Sequence, residues 1–178
     1  MARLAVWALG ADRPGIVAAV SEVLYRSGCN LEDSSMTILA GHFAMMLLVE
    51  PPPDVSPARL EESLRAVGEQ LELVGAVREV AEQATASAGG EAYIVSVYGG
   101  DRPGIVHRVT ALLAAEGVNI TDLNTRLVGD PADPVYAMQL EVTLPEGLPR
   151  AHVAAALQEL GGELGVEAGL HAVDTDIL

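Results

Sequence analysis

The spacing of hydrophobic residues along the chain changes between the two-residue period of a β-strand and the 3.6-residue period of an α-helix. The same order of strands and helices occurs twice. Residues 3–9 are apolar and partly alternating, which predicts a strand. A helix is predicted from Pro14, because proline suits the first helical turn, where its missing N–H costs little. The apolar face of this helix comprises Ile16, Val17, Val20, Val23 and Leu24. Gly28 is predicted to end the helix in a left-handed conformation.

Two more strands, a second helix and a closing strand complete the first half. They are predicted at 31–39, 43–49, 57–71 and 73–80. A tight hairpin at 40–42 joins the two strands. Ser56 is a predicted N-cap with Pro57 at the first helical position. The apolar face of the second helix comprises Leu60, Leu64, Val67 and Leu71. The element order is βαββαβ.

The second half repeats the first. Residues 12–33 read DRPGIVAAVSEVLYRSGCNLED and residues 101–122 read DRPGIVHRVTALLAAEGVNITD, with half of these 22 positions identical. The corresponding elements are strands at 92–98, 119–128, 136–144 and 166–173 and helices at 103–116 and 149–164, with the turn GDPADP between the middle strands. The Ala-, Ser-, Thr- and Gly-rich stretch between the halves predicts a linker. The predicted domains are 1–83 and 91–178, with the linker at 84–90.

A βαββαβ unit of this length predicts an α+β fold of the ferredoxin-like type. Each unit forms a four-stranded antiparallel sheet with both helices on one face. Two helices cannot cover all the apolar strand residues, such as Met36, Ile38, Met45, Leu47 and Val49. The second face of each sheet is therefore expected to pack on another sheet or another subunit.

The repeated DRPGIV stretch has the chemistry of a binding loop. A helix that starts at Pro14 leaves the N–H groups of Gly15, Ile16 and the next residue free, and with the helix dipole they favour an anion such as an α-carboxylate. Gly15 allows close approach to the backbone. Asp12 can take an α-ammonium, and the Asn30 amide can donate and accept. We expect the strand after the first helix to lie beside the first strand, which brings Asn30 towards Asp12. A small zwitterion fits this set.

The same residues carry a family resemblance. A strand ending in glycine, then DRPGIV opening a helix, then G-x-N-hydrophobic, resembles the ACT domain, and the resemblance covers nearly the whole chain twice. The first copy, ALGADRPGIV with GCNLEDS, more narrowly resembles the tandem ACT proteins similar to glycine cleavage system transcriptional repressors. The resemblance implies amino-acid binding at interfaces between two ACT units. It implies the site residues Gly10, Asp12, Pro14, Gly15, Ile16, Asn30 and Leu31, and their matches Gly99, Asp101, Pro103, Gly104, Ile105, Asn119 and Ile120.

Structural interpretations of the same positions remain open. Asp12 and Asp101 are also good helix N-caps. Gly15 and Gly104 are also explained by close helix–strand packing. Other positions have plain interpretations too: turn residues in a left-handed conformation for Asn30 and Asn119, polar strand residues for Asp33 and Asp122, and side chains pointing to solvent for Arg13 and Arg102.

Composition and charge exclude several classes. The formal net charge is −15, and the ten basic residues are all scattered arginines, so direct nucleic-acid binding and an anionic membrane surface are disfavoured. No apolar run is long enough to span a membrane, and Cys29 is the only cysteine, so a cytoplasmic location is expected. Cys29 is expected to be a small buried residue. The four histidines lack metal-ligand spacing, His42 is expected in the hairpin, and no metal or cofactor is predicted.

Three function classes are compared. The first is a regulatory amino-acid sensor that forms a homodimer and acts through a protein partner such as a transcriptional regulator. The family resemblance favours glycine or serine as its ligand. The second is a ligand-free oligomerisation or interaction module. The third is an enzyme on the same scaffold: acylphosphatase-type chemistry uses a loop arginine and a nearby asparagine, here Arg13 and Asn30, but Pro14 removes a backbone donor. No catalytic motif supports the third class, and the chain is predicted not to be an enzyme.

Overall fold

The computed structural model describes residues 3–80, 90–130 and 133–173. It divides into two compact units, Met1–Thr85 (unit 1) and Ala86–Leu178 (unit 2). The predicted linker at 84–90 lies outside the described residues except for Gly90, which begins a strand. The predicted GDPADP turn also lies partly outside them, at residues 131 and 132.

Each unit has the predicted βαββαβ order. The elements of unit 1 are β1 (Arg3–Ala11), α1 (Ile16–Arg26), β2 (Asn30–Leu39), β3 (His42–Glu50), α2 (Pro57–Leu71) and β4 (Val74–Val80). Those of unit 2 are β5 (Gly90–Gly100), α3 (Ile105–Ala115), β6 (Asn119–Asp130), β7 (Asp133–Pro145), α4 (Arg150–Leu164) and β8 (Val166–Ala172). The α+β fold with two four-stranded antiparallel sheets is confirmed.

The strand order corrects one expectation. The sheets run β2-β3-β1-β4 and β6-β7-β5-β8, so β3, rather than β2, lies beside β1. The reason is the hairpin: Ala40 (φ 49°) and Gly41 (φ 77°) form a two-residue turn that folds β3 back between β2 and β1. β2 and β6 are therefore edge strands.

The helices bury one face of each sheet. In unit 1, Leu4, Val6, Phe43 and Leu47 point beneath them and are at most 4% exposed. Of the five apolar residues that raised the question of coverage, Met45, Leu47 and Val49 are buried here. Met36 and Ile38 face the same side but stay about half exposed, at 50% and 52%, because the helices do not reach the edge strand β2.

The two outer sheet faces differ in chemistry. In unit 1 this face presents exposed apolar side chains, among them Trp7, Leu9, Met46 and Val74. In unit 2 the positions in register on β5, β7 and β8 include Ser96, Gln139, Glu141 and His171, and the Ser96 hydroxyl lies 2.8 Å from His171 Nε2. An apolar second face is therefore a property of unit 1 and not of unit 2.

The helix ends follow their local sequence. Ser56 caps α2 by accepting a hydrogen bond from the Arg59 N–H, with Pro57 in the first turn, as predicted. Gly28 has φ 69°, its N–H donates to Tyr25 O, and the Cys29 N–H donates to Leu24 O, which together form a Schellman motif. Among the described residues, no helix is long and apolar enough to cross a membrane.

Replacing corresponding leucines by alanine should show that α4 is packed more tightly on its sheet than α2, through the loss in the free energy of unfolding. Leu157 on α4 is fully buried, whereas its counterpart Leu64 on α2 is only partly buried. We expect Leu157→Ala to lower the free energy of unfolding by about 2–5 kcal/mol and Leu64→Ala to lower it by clearly less. Urea denaturation of both variants measures the difference, and equal losses would contradict it.

Candidate functional site

The first candidate loop (loop 1, residues 10–17) leaves the sheet at the end of β1 that lies next to the β2–β3 hairpin. The Asp12 N–H donates to Gly41 O at 2.9 Å, which holds the loop over the hairpin tip. The Asp12 side chain is exposed, whereas Ile16 is only 1% exposed and anchors the loop in the core. Loop 1 is thus anchored through Ile16 and the Asp12 N–H, while the Asp12 carboxylate is exposed to solvent.

The helix after the loop starts later than the sequence predicts. α1 begins at Ile16, because Pro14 and Gly15 form a turn and Gly15 has φ 95°, which is outside the helical region. The first helical hydrogen bond of α1 runs from the Ala19 N–H to Gly15 O at 2.9 Å. The N–H groups from Ile16 to the residue before Ala19 therefore precede the helical ladder and remain available to an anion.

The second loop (loop 2, residues 99–106) has the same backbone. α3 begins at Ile105 and not at Pro103, Gly104 has φ 97°, and the Arg108 N–H donates to Gly104 O at 2.9 Å. Neither helix start carries a side-chain capping bond. The capping interpretation of Asp12 and Asp101 is therefore wrong, since the N-cap positions are occupied by the two glycines.

The glycines of the loops have two different physical roles. A Cβ on Gly10 would lie 2.8 Å from Glu72 O, and one on Gly99 would lie 2.9 Å from the Cα of Val166, so these two allow close packing on the strand that follows the second helix. Gly15 and Gly104 have open space where a Cβ would stand. Close packing is thus the wrong explanation for the latter two, because no atom stands beside them and their left-handed backbone is what requires glycine.

The loop arginines contact the end of the second helix of their unit. Arg13 forms an ion pair with Glu72 at the end of α2. Arg102, at the same position of loop 2, donates from Nη1 to Leu164 O at the end of α4, at 3.2 Å. Both arginines thus stay largely open to solvent, as expected, and each also contacts the carboxyl end of the second helix of its unit.

The asparagines lie at the other end of the sheet from the loops. Asn30 starts β2 opposite Glu50, whereas loop 1 follows the row that joins Ala11 to His42. Nearly the whole length of β2 separates them, roughly 30 Å at about 3.3 Å per residue. Asn119 is likewise opposite Thr143, far from the loop end of β5. The expectation that Asn30 approaches Asp12 within a unit is wrong, because the last residue of β2, and not its first, lies at the end of the sheet where loop 1 lies.

The residues around the asparagines are regular strand residues. Asn30 and Asn119 are not among the described residues with positive φ, so the left-handed turn interpretation is also wrong. Leu31 and Ile120 follow them, and each strand has a β-bulge immediately after, before Asp33 and Asp122. Both aspartates lie exposed on their strands, in agreement with the plain interpretation. The bulge twists the edge strand beside the asparagine in both units.

Tyr136 is a residue near loop 2 that sequence reasoning missed. It pairs with Gly99 in the sheet, and burial, followed by the charge of Asp101, raises the pKa of its phenol above 10.0. The corresponding position of unit 1 is Phe43, opposite Gly10, which is buried. Alignment of the β3 and β7 strands would have shown this Phe-to-Tyr difference. A phenol hydroxyl, which donates to Met138 Sδ at 3.8 Å, therefore distinguishes this position from its counterpart beside loop 1.

The remaining candidate groups have structural roles. Cys29 is partly buried against the core of unit 1, and burial raises the pKa of its thiol, which favours the unreactive protonated form. His42 Nδ1 lies 3.2 Å from Ala40 O in the hairpin, as expected. Within the described ranges no cluster of metal-ligating side chains occurs. The tether of Arg13 and the remote position of Asn30 also separate the two residues that an acylphosphatase-type site requires together.

Comparisons with known proteins agree with this architecture. Family models described as the ACT domain match residues 2–77 and 93–162. The chain is 29% identical over 175 residues to the glycine cleavage system transcriptional repressor of Escherichia coli (strain K12), covering 96% of this chain and 90% of that protein. It is 49% identical over 72 residues to a UPF0237 protein of Methanopyrus kandleri, covering 40% of this chain and 80% of that protein. A crystal structure of a protein of unknown function from Galdieria sulphuraria superposes with a TM-score of 0.82 at 30% identity, covering 97% of this chain and 98% of that chain.

The left-handed glycine of loop 1 makes a stability prediction. We expect Gly15→Ala to destabilise the protein by about 1–2 kcal/mol, because a Cβ is disfavoured at φ 95°. The control is Gly162→Ala in α4, where the backbone is helical and the space is open; there the change should stabilise by about 0.5–1 kcal/mol. Urea denaturation measures both, and the same sign for the two variants would contradict the assignment.

Tyr136 makes a prediction at alkaline pH. Its pKa is raised in the folded state, so the stability that comes from its neutral phenol is complete below the unfolded pKa and is lost as pH rises through the folded pKa. Tyr136→Phe should therefore flatten the loss of melting temperature above about pH 10. Thermal denaturation across this range measures it, and a native-like alkaline slope in the variant would count against this role.

Proposed function

The chain belongs to the ACT-domain family, with two such domains in tandem, and on this basis we propose that it is a regulatory protein that binds a small amino acid at its DRPGIV loops. The similarity to a glycine cleavage system repressor favours glycine or serine as the ligand and a role in transcription or metabolism in the cytoplasm. Both family matches are to a regulatory domain, and the chain is not an enzyme.

The observation that carries the proposal is the open backbone at the start of α1 and α3. Gly15 and Gly104 hold the chain in a left-handed turn with empty space beside them, and the following N–H groups precede the helical ladder. These groups, at the positive end of a helix dipole, suit the α-carboxylate of an amino acid. The exposed carboxylates of Asp12 and Asp101 on the same loops suit its α-ammonium.

Asn30 cannot join loop 1 of its own unit, because it lies at the far end of its own sheet. β2 is an edge strand exposed along its whole length, with Met36 and Ile38 about half exposed. An exposed apolar edge strand favours pairing with another strand. Antiparallel pairing of β2 with β2 of a second copy brings each Asn30 to the end of the sheet where the partner's loop 1 lies. We propose this homodimer as the ligand-binding form.

The route from ligand to regulation is contact with another protein. The net charge of −15 and the scattered arginines disfavour direct contact with DNA, so a transcriptional effect must pass through a partner protein. A ligand held between loop 1 and Asn30 stabilises the paired arrangement by its differential affinity for that arrangement. The partner protein would then bind one arrangement of the chain in preference to the other.

A thermal-shift screen of the full chain against the twenty amino acids tests the proposal, with calorimetry on each hit. A ligand at 100 times its dissociation constant adds about 2.7 kcal/mol of stability. We expect a shift with glycine or serine, and its loss in Asp12→Ala and in Asn30→Ala. Asp101→Ala and Asn119→Ala show whether unit 2 contributes equally.

Asp54→Ala is the matched control, since Asp54 is an exposed aspartate of unit 1 away from loop 1. It should keep the amino-acid response. No response across the panel would overturn amino-acid binding and favour the ligand-free interaction module. A response that survives both Asp12→Ala and Asn30→Ala would show an amino-acid site elsewhere in the chain.

A further inference from the structure

Unit 1 contains an apolar cavity that the loops do not use. It has a volume of about 220 Å³ and lies between α2 and the edge strand β4, with β1 as its floor. Its lining is mainly aliphatic and includes Val6, Val20, Leu64, Val67, Leu73 and Val77. Loop 1 contributes no residue to this lining, so the cavity is separate from the proposed amino-acid site.

Unit 2 provides an internal comparison, because the matching side chains are more deeply buried there. Leu157 and Leu160 of α4 correspond to Leu64 and Val67 of α2 and are 0% and 7% exposed. The backbone approach is similar in the two units, since a Cβ on Gly161 would lie 2.8 Å from Val166 O and one on its counterpart Gly68 would lie 3.0 Å from Leu73 O. The difference lies in the side chains, because Leu64 is only partly buried.

One substitution between the units bears on the space. Val67 stands where unit 2 has the longer Leu160. Gly75, which stands where unit 2 has Ala168, does not enlarge the cavity, since a Cβ there would lie 2.3 Å from Trp7 O in the backbone of β1. The shorter side chain of Val67 leaves room under α2.

We propose that this cavity is a binding site for a small, uncharged, apolar molecule, either aromatic or branched aliphatic. At the packing density of a protein interior the space holds roughly ten non-hydrogen atoms, about the size of indole. Engineered cavities of about 150 Å³ with aliphatic and aromatic linings bind benzene or xenon, which shows that such a space is sufficient.

The border of the cavity favours an uncharged occupant. Glu61, Arg65 and Glu69 of α2 stand along it, one helical turn apart. Two carboxylates around one guanidinium give this border a net negative charge, which disfavours an anionic ligand. The aliphatic lining disfavours a cation, because a charge moved from water into such a lining loses its hydration.

Indole is the probe for a test on the full chain, by calorimetry and by amide chemical-shift mapping. Saturable binding with shifts concentrated at lining residues such as Val20, Leu64 and Val77 is expected. Val67→Phe fills the cavity and should weaken indole binding by about tenfold or more. Val67→Leu, which reproduces the residue of unit 2, should weaken it less and guards against misfolding of the larger variant.

Ala66→Leu is the matched control, because it adds an aliphatic side chain to an exposed position of the same helix. It should bind indole as the native chain does. Absence of saturable binding, shifts centred on unit 2, or equal binding by both Val67 variants and the native chain would overturn the proposal. A dimer that dissociates in Val67→Phe by sedimentation, without indole binding by the native chain, would also overturn it and identify a side chain of a second copy as the occupant.

Discussion

Burial of a single sheet face beneath two helices is the constraint on which each unit depends. The strands that point Leu4, Val6 and Phe43 into the core must point their alternate residues outward, so the second face has no cover within the unit. The same arrangement leaves β2 and β6 at an edge that the helices do not reach. Open edges and open faces are thus consequences of the fold itself, and they are the surfaces that a regulatory protein can use.

The two units satisfy this constraint to different degrees. In unit 2, α4 buries Val153, Leu157 and Leu160 on the sheet, whereas in unit 1 Leu60 is the residue of α2 that is fully buried. Unit 1 has a cavity under this helix, and its outer sheet face is apolar where that of unit 2 is polar. Duplication preserved the framework, and the packing around it diverged.

The contacts that hold the two loops are more similar to each other than the packing of the second helices. Both have an open left-handed glycine, an arginine fastened to the end of the second helix, and a glycine packed on the following strand. These contacts hold the start of α1 and α3 in one geometry and leave their first N–H groups exposed. The difference lies beside them, because Gly99 pairs with Tyr136 where Gly10 pairs with the buried Phe43.

The sequence by itself determined the element order, the duplication and the helix ends, because these depend on periodicity, on proline and glycine, and on caps such as Ser56 that act within a few residues. It also indicated the loop glycines and aspartates as candidates. Only the tertiary structure decided that β3 separates β1 from β2, that Asn30 lies far from Asp12, and that Arg13 reaches Glu72. Strand order and such pairings join residues distant in the chain, and local patterns do not specify them. The cavity of unit 1 could not be predicted from local patterns either, because it depends on how side chains of α2 pack against strand residues that are distant in the chain.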